Sequence, residues 1–144
     1  MKKTIIAVSG TANVGKSMTL ARLGRQLVAV GATTATNVSG KDYNANFTYK
    51  TKTIGIQTYG DATRLVKNGL DGFLTMNCDI IAIASKGYGG TVKEIEKFAN
   101  TNGYRVIWTK PYCVWDGSIS DNDIKDYSAS HLKFMLDDII STIL

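Results

Sequence analysis

The chain has little of what builds several common functional sites. Its 144 residues contain two cysteines, one histidine and one proline. Two cysteines are too few for a disulfide framework, and no Cys/His cluster has the spacing of a zinc site. A single histidine argues against metal sites built from several histidines and against triads that use a histidine base. We therefore interpret Cys78 and Cys113 as buried or idle thiols and His131 as a surface residue.

Long apolar runs are also missing. No stretch of about 18 apolar residues occurs, so no segment is expected to span a membrane. Lys2 and Lys3, followed by residues 4–8, resemble the start of a signal peptide, but a polar turn ends this short run. We predict a first β-strand here, a cytoplasmic protein and no membrane partner.

The overall composition suits one globular domain over residues 1–144. Apolar residues make up 44% of the chain, enough for one core, and charged residues make up 20%. The net charge of +5 is uneven, because residues 1–70 hold ten Lys/Arg and two acidic residues whereas residues 71–144 hold seven and ten. A basic half of this kind indicates a polyanionic partner.

Apolar periodicity predicts strands that alternate with helices. Five runs have the composition of strands: residues 4–9, 33–38, 53–59, 80–84 and 104–109. Residues 41–52 are expected to form a loop with an edge strand at 47–50, and Thr91 with Glu94 has the spacing of a capping box. Helix-length segments between strands require crossover connections. We expect an α/β fold with three layers, α/β/α, and a mostly parallel sheet of about five strands.

One motif points to a specific chemistry. Residues 10–17 read Gly-Thr-Ala-Asn-Val-Gly-Lys-Ser and match G-x-x-x-x-G-K-[ST] at every fixed position, between a predicted strand and a predicted helix. The glycines let successive N–H groups point into one concavity, and the helix dipole adds about half a positive charge at its N-terminus. A polyphosphate fits such a site.

With this motif the sequence resembles the P-loop NTPase superfamily. The resemblance implies that the chain binds a nucleoside triphosphate, ATP or another NTP, together with Mg²⁺. It implies that Lys16 contacts the β- and γ-phosphates and that the Ser17 hydroxyl is a metal ligand. The residues expected to bind the nucleotide are Gly10, Thr11, Ala12, Asn13, Val14, Gly15, Lys16, Ser17 and Met18.

The superfamily also uses a carboxylate at the end of another strand, which holds the Mg²⁺ through water. Ligands of an open α/β sheet lie outside the carboxyl ends of its strands, and this ranks the acidic residues. Asp61 is our candidate for metal binding and catalysis, with helix capping as the alternative. Asp42 is a candidate catalytic or acceptor-binding carboxylate, or a plain turn residue. Asp79 precedes its strand and is placed at the opposite edge, and Asp116 is the weakest candidate.

Two cations and a glycine-rich segment follow predicted strand ends. Lys86 and Arg64 are candidates for neutralising charge on a transferred phosphoryl group, with solvated surface as the alternative. Residues 85–91 form a lid, an anion-binding nest or a flexible turn. Trp108, Tyr112 and Trp115 either stack on a base or pack against the sheet. The guanine-reading signature Asn/Thr-Lys-x-Asp is broken at Tyr112, which disfavours a GTPase.

These observations lead to two main hypotheses. The first is an enzyme, an ATP hydrolase or a small kinase, that cleaves ATP or transfers its γ-phosphate to a small acceptor. The alternative is a nucleotide-dependent regulatory or assembly switch with little intrinsic turnover and a protein partner. Association with nucleic acid through the basic half is a third hypothesis, which no helix-turn-helix or RNA-binding motif supports.

Overall fold

The computed structural model describes residues 1–11, 15–111 and 117–144. It has the α/β character that the hydrophobic pattern predicts. The elements, in chain order, are β1 (Thr4–Ser9), α1 (Lys16–Ala29), β2 (Asn44–Tyr49), β3 (Lys52–Gln57), α2 (Thr63–Thr75), β4 (Ile80–Ser85), α3 (Gly90–Asn102), β5 (Arg105–Thr109) and α4 (Asp121–Ile140).

The described strands form one sheet in the order β2-β3-β4-β1-β5. Strands β3, β4, β1 and β5 are parallel, and β2 pairs antiparallel with β3. The sheet is therefore mixed, and the expectation of a mostly parallel sheet was wrong. The cause is a two-residue turn in which Lys50 and Thr51 have φ values of 49° and 67°. Two positive φ values in succession give the turn that suits a tight hairpin, so β3 folds directly back on β2.

The second strand is not where the sequence predicts it. Residues 33–38 contribute an isolated bridge, between Thr33 and Thr48, and the strand lies instead in the segment expected to be mainly loop. In β2, the side chains of Ala45, Phe47 and Tyr49 are buried, and polar residues alternate with them. This alternation is typical of an edge strand with one face on the core.

Apolar side chains cover both faces of the sheet. Ile6 and Val8 of β1 belong to a cluster with residues of α1 and α4, whereas Ile5 and Ala7 belong to a cluster with residues of α2 and α3. Because successive residues of a strand face opposite sides, the centre of β1, residues 5–8, must be continuously apolar to serve both clusters. No helix of the described ranges is long and apolar enough to cross a membrane.

Helix α3 starts differently from the prediction. Its N-cap is Gly89 and no side chain caps it, so the expected capping box of Thr91 and Glu94 does not form. The Thr91 hydroxyl instead accepts a hydrogen bond from the Lys86 amide (3.1 Å) and lies 3.1 Å from Ser85 Oγ. Thr91 therefore fixes the end of β4 to the start of α3.

A buried thiol lies just before β4. Cys78 is fully buried, and its Sγ donates a hydrogen bond to Asn46 Oδ1 at 3.3 Å. Its backbone carbonyl accepts a hydrogen bond from the Tyr104 hydroxyl. Burial raises the pKa of the Cys78 thiol to about 12. Cys78 is thus a structural residue, which agrees with the sequence-based interpretation, while Cys113 lies outside the described residues.

Candidate functional site

The carboxyl ends of β1, β3, β4 and β5 meet at one edge of the sheet, which we call the carboxyl edge, opposite the amino edge. Asp42 also lies at the carboxyl edge, because it precedes the antiparallel strand β2 rather than following a strand as predicted. Asp79 precedes β4 at the amino edge, where its Oδ2 accepts a hydrogen bond from the Thr53 amide at 2.9 Å. The structure thus places Asp79 at the opposite edge from Asp42 and Asp61.

The G-x-x-x-x-G-K-S motif, residues 10–17, begins after β1 and ends in α1, at the carboxyl edge. Gly15, with φ of 91°, is the N-cap of α1, and the Thr19 amide donates to its carbonyl at 2.9 Å. Amide groups of the first helical turn have no acceptor within the helix, so those of Lys16, Ser17 and Met18 can bind an anion. Gly10 and Thr11 stand at the other end of the motif. Ala12, Asn13 and Val14 lie outside the described residues.

Lys16 occupies the centre of this edge. Its side chain is 6% exposed, and its Nζ donates to Gly10 O at 2.8 Å, to Ser85 O at 3.0 Å and to Asp61 Oδ1 at 3.0 Å. A buried ammonium group needs its three donors satisfied, and here oxygens from three different chain segments do so. Lys16 therefore ties the end of β1 to the end of β4 and to the connection between β3 and α2.

Asp61 reaches Lys16 because of close packing at Gly60. A Cβ at Gly60 would lie 1.6 Å from the carbonyl oxygen of Ala84, so the chain passes directly against the end of β4. Helix α2 has Ala62 as its N-cap and no side-chain cap. The Asp61 side chain is 63% exposed. The carboxylate thus contacts Lys16 on one side and solvent on the other, and it does not cap α2.

Gln57, at the end of β3, is a residue that sequence reasoning missed. It is 1% exposed, and its Nε2 donates to the carbonyls of Tyr59 and Leu65, each at 3.1 Å. Its Oε1 accepts a hydrogen bond from Asn44 Nδ2 at 2.7 Å. A polar residue that directly follows the apolar residues Ile54 and Ile56 was the available signal. These bonds hold both ends of the segment that contains Asp61.

Other candidates surround this centre. Asp42 is exposed and lies 3.4 Å from the hydroxyl of buried Thr58, which also accepts a hydrogen bond from the Tyr43 amide. Lys86 and Arg64 are exposed, and no side-chain hydrogen bond or ion pair is seen for either within the described ranges. The side chain of Lys125, which the sequence did not single out, passes within 3.5 Å of the Cβ position at Gly15.

The aromatic candidates are only partly described. Tyr112 and Trp115 lie outside the described residues, as does Asp116. Trp108, on β5, is 39% exposed, and His131 is exposed on α4, where the sequence places it.

The side-chain oxygen atoms near Lys16 fit a magnesium ion that binds together with a phosphate. Within residues 1–11, 15–111 and 117–144, no group of three or more His, Cys, Asp or Glu could hold a metal ion. Asp61 supplies a carboxylate in contact with Lys16, and Ser17, the next residue of α1, supplies a hydroxyl. Mg²⁺ is commonly held by one or two protein oxygens, with phosphate and water completing the octahedron. Two protein oxygens therefore suit Mg²⁺ bound with a phosphate better than a cation whose ligands all come from the protein.

Comparison with known proteins gives no relative from which a function can be transferred. No protein-family model matches the chain. No curated protein and no solved structure matches it either.

Proposed function

We propose that the protein binds a nucleoside triphosphate, ATP in the first instance, with Mg²⁺, and hydrolyses it or transfers its γ-phosphate to a small acceptor. One observation carries the proposal: Lys16 of the G-x-x-x-x-G-K-S motif is buried at the carboxyl edge, beside Asp61 and the N-terminus of α1. The proposal includes the three-layer fold of P-loop NTPases and a cytoplasmic location.

The phosphates would bind to residues 10–18. The amides of Lys16, Ser17 and Met18 supply neutral donors, and the Lys16 ammonium supplies the charge. In the present arrangement that ammonium contacts two uncharged carbonyl oxygens, Gly10 O and Ser85 O. A phosphate oxygen is a stronger acceptor than a carbonyl because it is charged, so nucleotide binding can replace these contacts favourably.

Ser17 and Asp61 are the residues that would hold Mg²⁺. The ion supplies neutralisation of the charge that develops on the phosphates during transfer. Lys86 would add positive charge from the end of β4, and Asp42 would accept a proton from the attacking hydroxyl group or water. Both side chains are exposed at the carboxyl edge, where a second substrate can reach them.

Substitution of Lys16 tests the proposal. We expect Lys16→Ala to lose calorimetrically detectable binding of MgATP, because it removes the one buried cation of the site. Lys97→Ala, an exposed lysine on α3, is the matched control and should bind as the wild type does. Circular dichroism and thermal unfolding would show that both variants are folded. Equal MgATP affinity in folded Lys16→Ala and wild type would refute the proposed site.

A nucleotide-dependent switch is the second candidate, and the Lys16–Asp61 contact favours it. Binding of phosphate to Lys16 and of Mg²⁺ to Asp61 would weaken this contact, which joins the motif to the β3–α2 connection, and would so change how two chain segments meet. ADP production, measured with and without a panel of nucleosides, nucleotides and small alcohols, separates the candidates. Stimulation by one class of acceptor indicates a kinase, and acceptor-independent turnover indicates a hydrolase. Tight binding with turnover only when a protein partner is added indicates a switch.

A further inference from the structure

We propose that Gln57 is a positioning residue that sets the response of the site to Mg²⁺ by fixing the connection that carries Asp61. The inference rests on the proposed function, because it takes Asp61 as the carboxylate that meets the metal. It adds a residue outside the phosphate-binding motif, on a different strand.

The hydrogen bonds of Gln57 bracket Asp61 in the sequence. Its Nε2 holds Tyr59 O, two residues before Asp61, and Leu65 O, in the first turn of α2. Its Oε1 is held in turn by Asn44 Nδ2 of the neighbouring strand β2. One buried amide thus joins β2, β3 and α2 and fixes both ends of the short connection between β3 and α2.

Only an amide satisfies this arrangement. A glutamine supplies donors to the two carbonyls and an acceptor to the Asn44 side chain from one planar group. A glutamate would place a buried charge against two carbonyl oxygens, and an apolar side chain would deprive the Tyr59 carbonyl, which lies outside α2, of the donor that Gln57 supplies. The positions of the three partners therefore specify glutamine at residue 57.

The packing around Gln57 supports the same assignment. A Cβ at Gly69 would lie 2.1 Å from Gln57 Oε1, so the glycine in α2 leaves the space that the amide occupies. On the other side of the connection, Gly60 lies against the Ala84 carbonyl. The connection is thus held between the Gln57 amide and the end of β4, and its exposed Asp61 carboxylate has a defined position beside Lys16.

A merely structural Gln57 would behave differently from a positioning one. Loss of a buried hydrogen-bond network lowers stability in both cases. A positioning role predicts in addition a weaker response to Mg²⁺, and this effect must disappear when Asp61 no longer carries a charge. The comparison of Gln57 variants in wild-type and Asp61→Asn backgrounds therefore separates the two roles.

The experiment titrates Mg²⁺ at a fixed concentration of a non-hydrolysable ATP analogue and follows binding. We expect Gln57→Met to raise the half-saturating Mg²⁺ concentration about tenfold, as is common when a group that orients a metal ligand is removed. In the Asp61→Asn background, the same substitution should cause no further rise. Hydrogen exchange without nucleotide should show faster exchange in Gln57→Met at the Thr58 and Val66 amides, which donate to Tyr43 O and Ala62 O at the two ends of the connection.

Asn44→Ala provides the test if Gln57→Met fails to fold. Asn44 is exposed at the edge of the sheet, and its truncation removes one anchor of the Gln57 amide. The matched control is Asn46→Ala, two residues along the same strand, which loses a hydrogen bond to Cys78 instead. We expect a rise of a few-fold in half-saturating Mg²⁺ for Asn44→Ala and wild-type behaviour for Asn46→Ala.

The outcomes distinguish this inference from the proposed function. If the wild type binds the analogue with a Mg²⁺ dependence that Asp61→Asn weakens, but folded Gln57→Met and Asn44→Ala match the wild type, the positioning role is wrong and the proposed function stands. A rise that persists undiminished in the Asp61→Asn background also overturns the positioning role. If the wild type does not bind the analogue at any Mg²⁺ concentration, the proposed function itself fails.

Discussion

The two edges of the sheet use their charged residues in opposite ways. At the amino edge, Lys3 donates to Asn77 at 2.7 Å, Asp79 accepts from the Thr53 amide, and Asp137 accepts from three side chains. At the carboxyl edge, Lys86 and Arg64 have no such side-chain contacts to described residues. The carboxyl edge also carries the N-terminus of α1, which together with nearby cations can accept an anion.

The positions of its lysines and arginines change how the basic half of the sequence, residues 1–70, is interpreted. Lys2 and Lys3 precede β1, and Lys50 and Lys52 lie at the hairpin turn, so these four lysines are at the amino edge. Asp79 and Asp137 lie among them, and Asp137 is paired with Lys50. Lys16 and Arg64 lie at the carboxyl edge, whereas Arg22 and Lys67 lie on helices and pair with Asp126 and Asp71. The positive charge is thus spread over several surfaces, which favours a nucleotide at one edge over a nucleic acid bound along a single face.

The most direct test of the difference between the two edges is to remove one carboxylate from each. We expect Asp61→Asn to raise the half-saturating Mg²⁺ concentration for ATP binding about tenfold, and Asp79→Asn to leave it unchanged. Without Mg²⁺, Asp61→Asn should bind ATP at least as tightly as the wild type, because the carboxylate no longer competes for Lys16. Titrations with and without Mg²⁺ measure both effects. Equal responses of the two variants would mean that the edges do not differ in function.

A smaller effect concerns the stability supplied by the amino edge. Burial raises the pKa of the Asp137 carboxyl, but hydrogen bonds from Tyr49, Lys133 and Lys50 outweigh it and hold the pKa below its ordinary value. A group with a lowered pKa stabilises the fold above its unfolded-state pKa, and this contribution is lost as the pH falls through the folded-state pKa.

We therefore expect Asp137→Asn to lower the free energy of unfolding by about 1 kcal/mol at neutral pH. The difference from the wild type should shrink as the pH falls below the ordinary Asp value of about 3.9. Urea unfolding across this range measures the effect, and MgATP binding at neutral pH should not change. A difference in stability that is independent of pH would show that the ionised carboxylate is not its source.

The parts of the fold with strong local patterns could be predicted from the sequence. The continuous apolar runs of β1 and β4 identify strands with both faces covered, and Gly103, with φ of 75°, ends α3 in a conformation that favours glycine. Strand β2 was largely missed because its buried residues alternate with Asn and Thr, and a short polar segment of this kind gives a weak signal. Pairing with β3 and burial of Phe47 determine this strand, and neither can be seen locally.

The candidate site was predictable where the spacing of residues along the chain is informative. Gly15 is the N-cap of α1 and Lys16 and Ser17 are its first residues, at the helix start where the motif places them. The contact of Lys16 with Asp61, 45 residues away, depends on the order of the strands, which periodicity does not give. Gln57 was missed for a similar reason, since its side-chain partner Asn44 lies on another strand.

The burial of Cys78 gives the molecule a built-in chemical reporter of opening. Thiolates, not thiols, react with alkylating reagents, and a fully buried group with a pKa of about 12 is almost entirely thiol at neutral pH. In a Cys113→Ser variant, the alkylation rate would follow how often the region before β4 opens. Where that opening also disrupts the carboxyl edge, a ligand bound there would slow the alkylation by mass action. Protection of one thiol at the amino edge would thus measure ligand binding at the other side of the sheet.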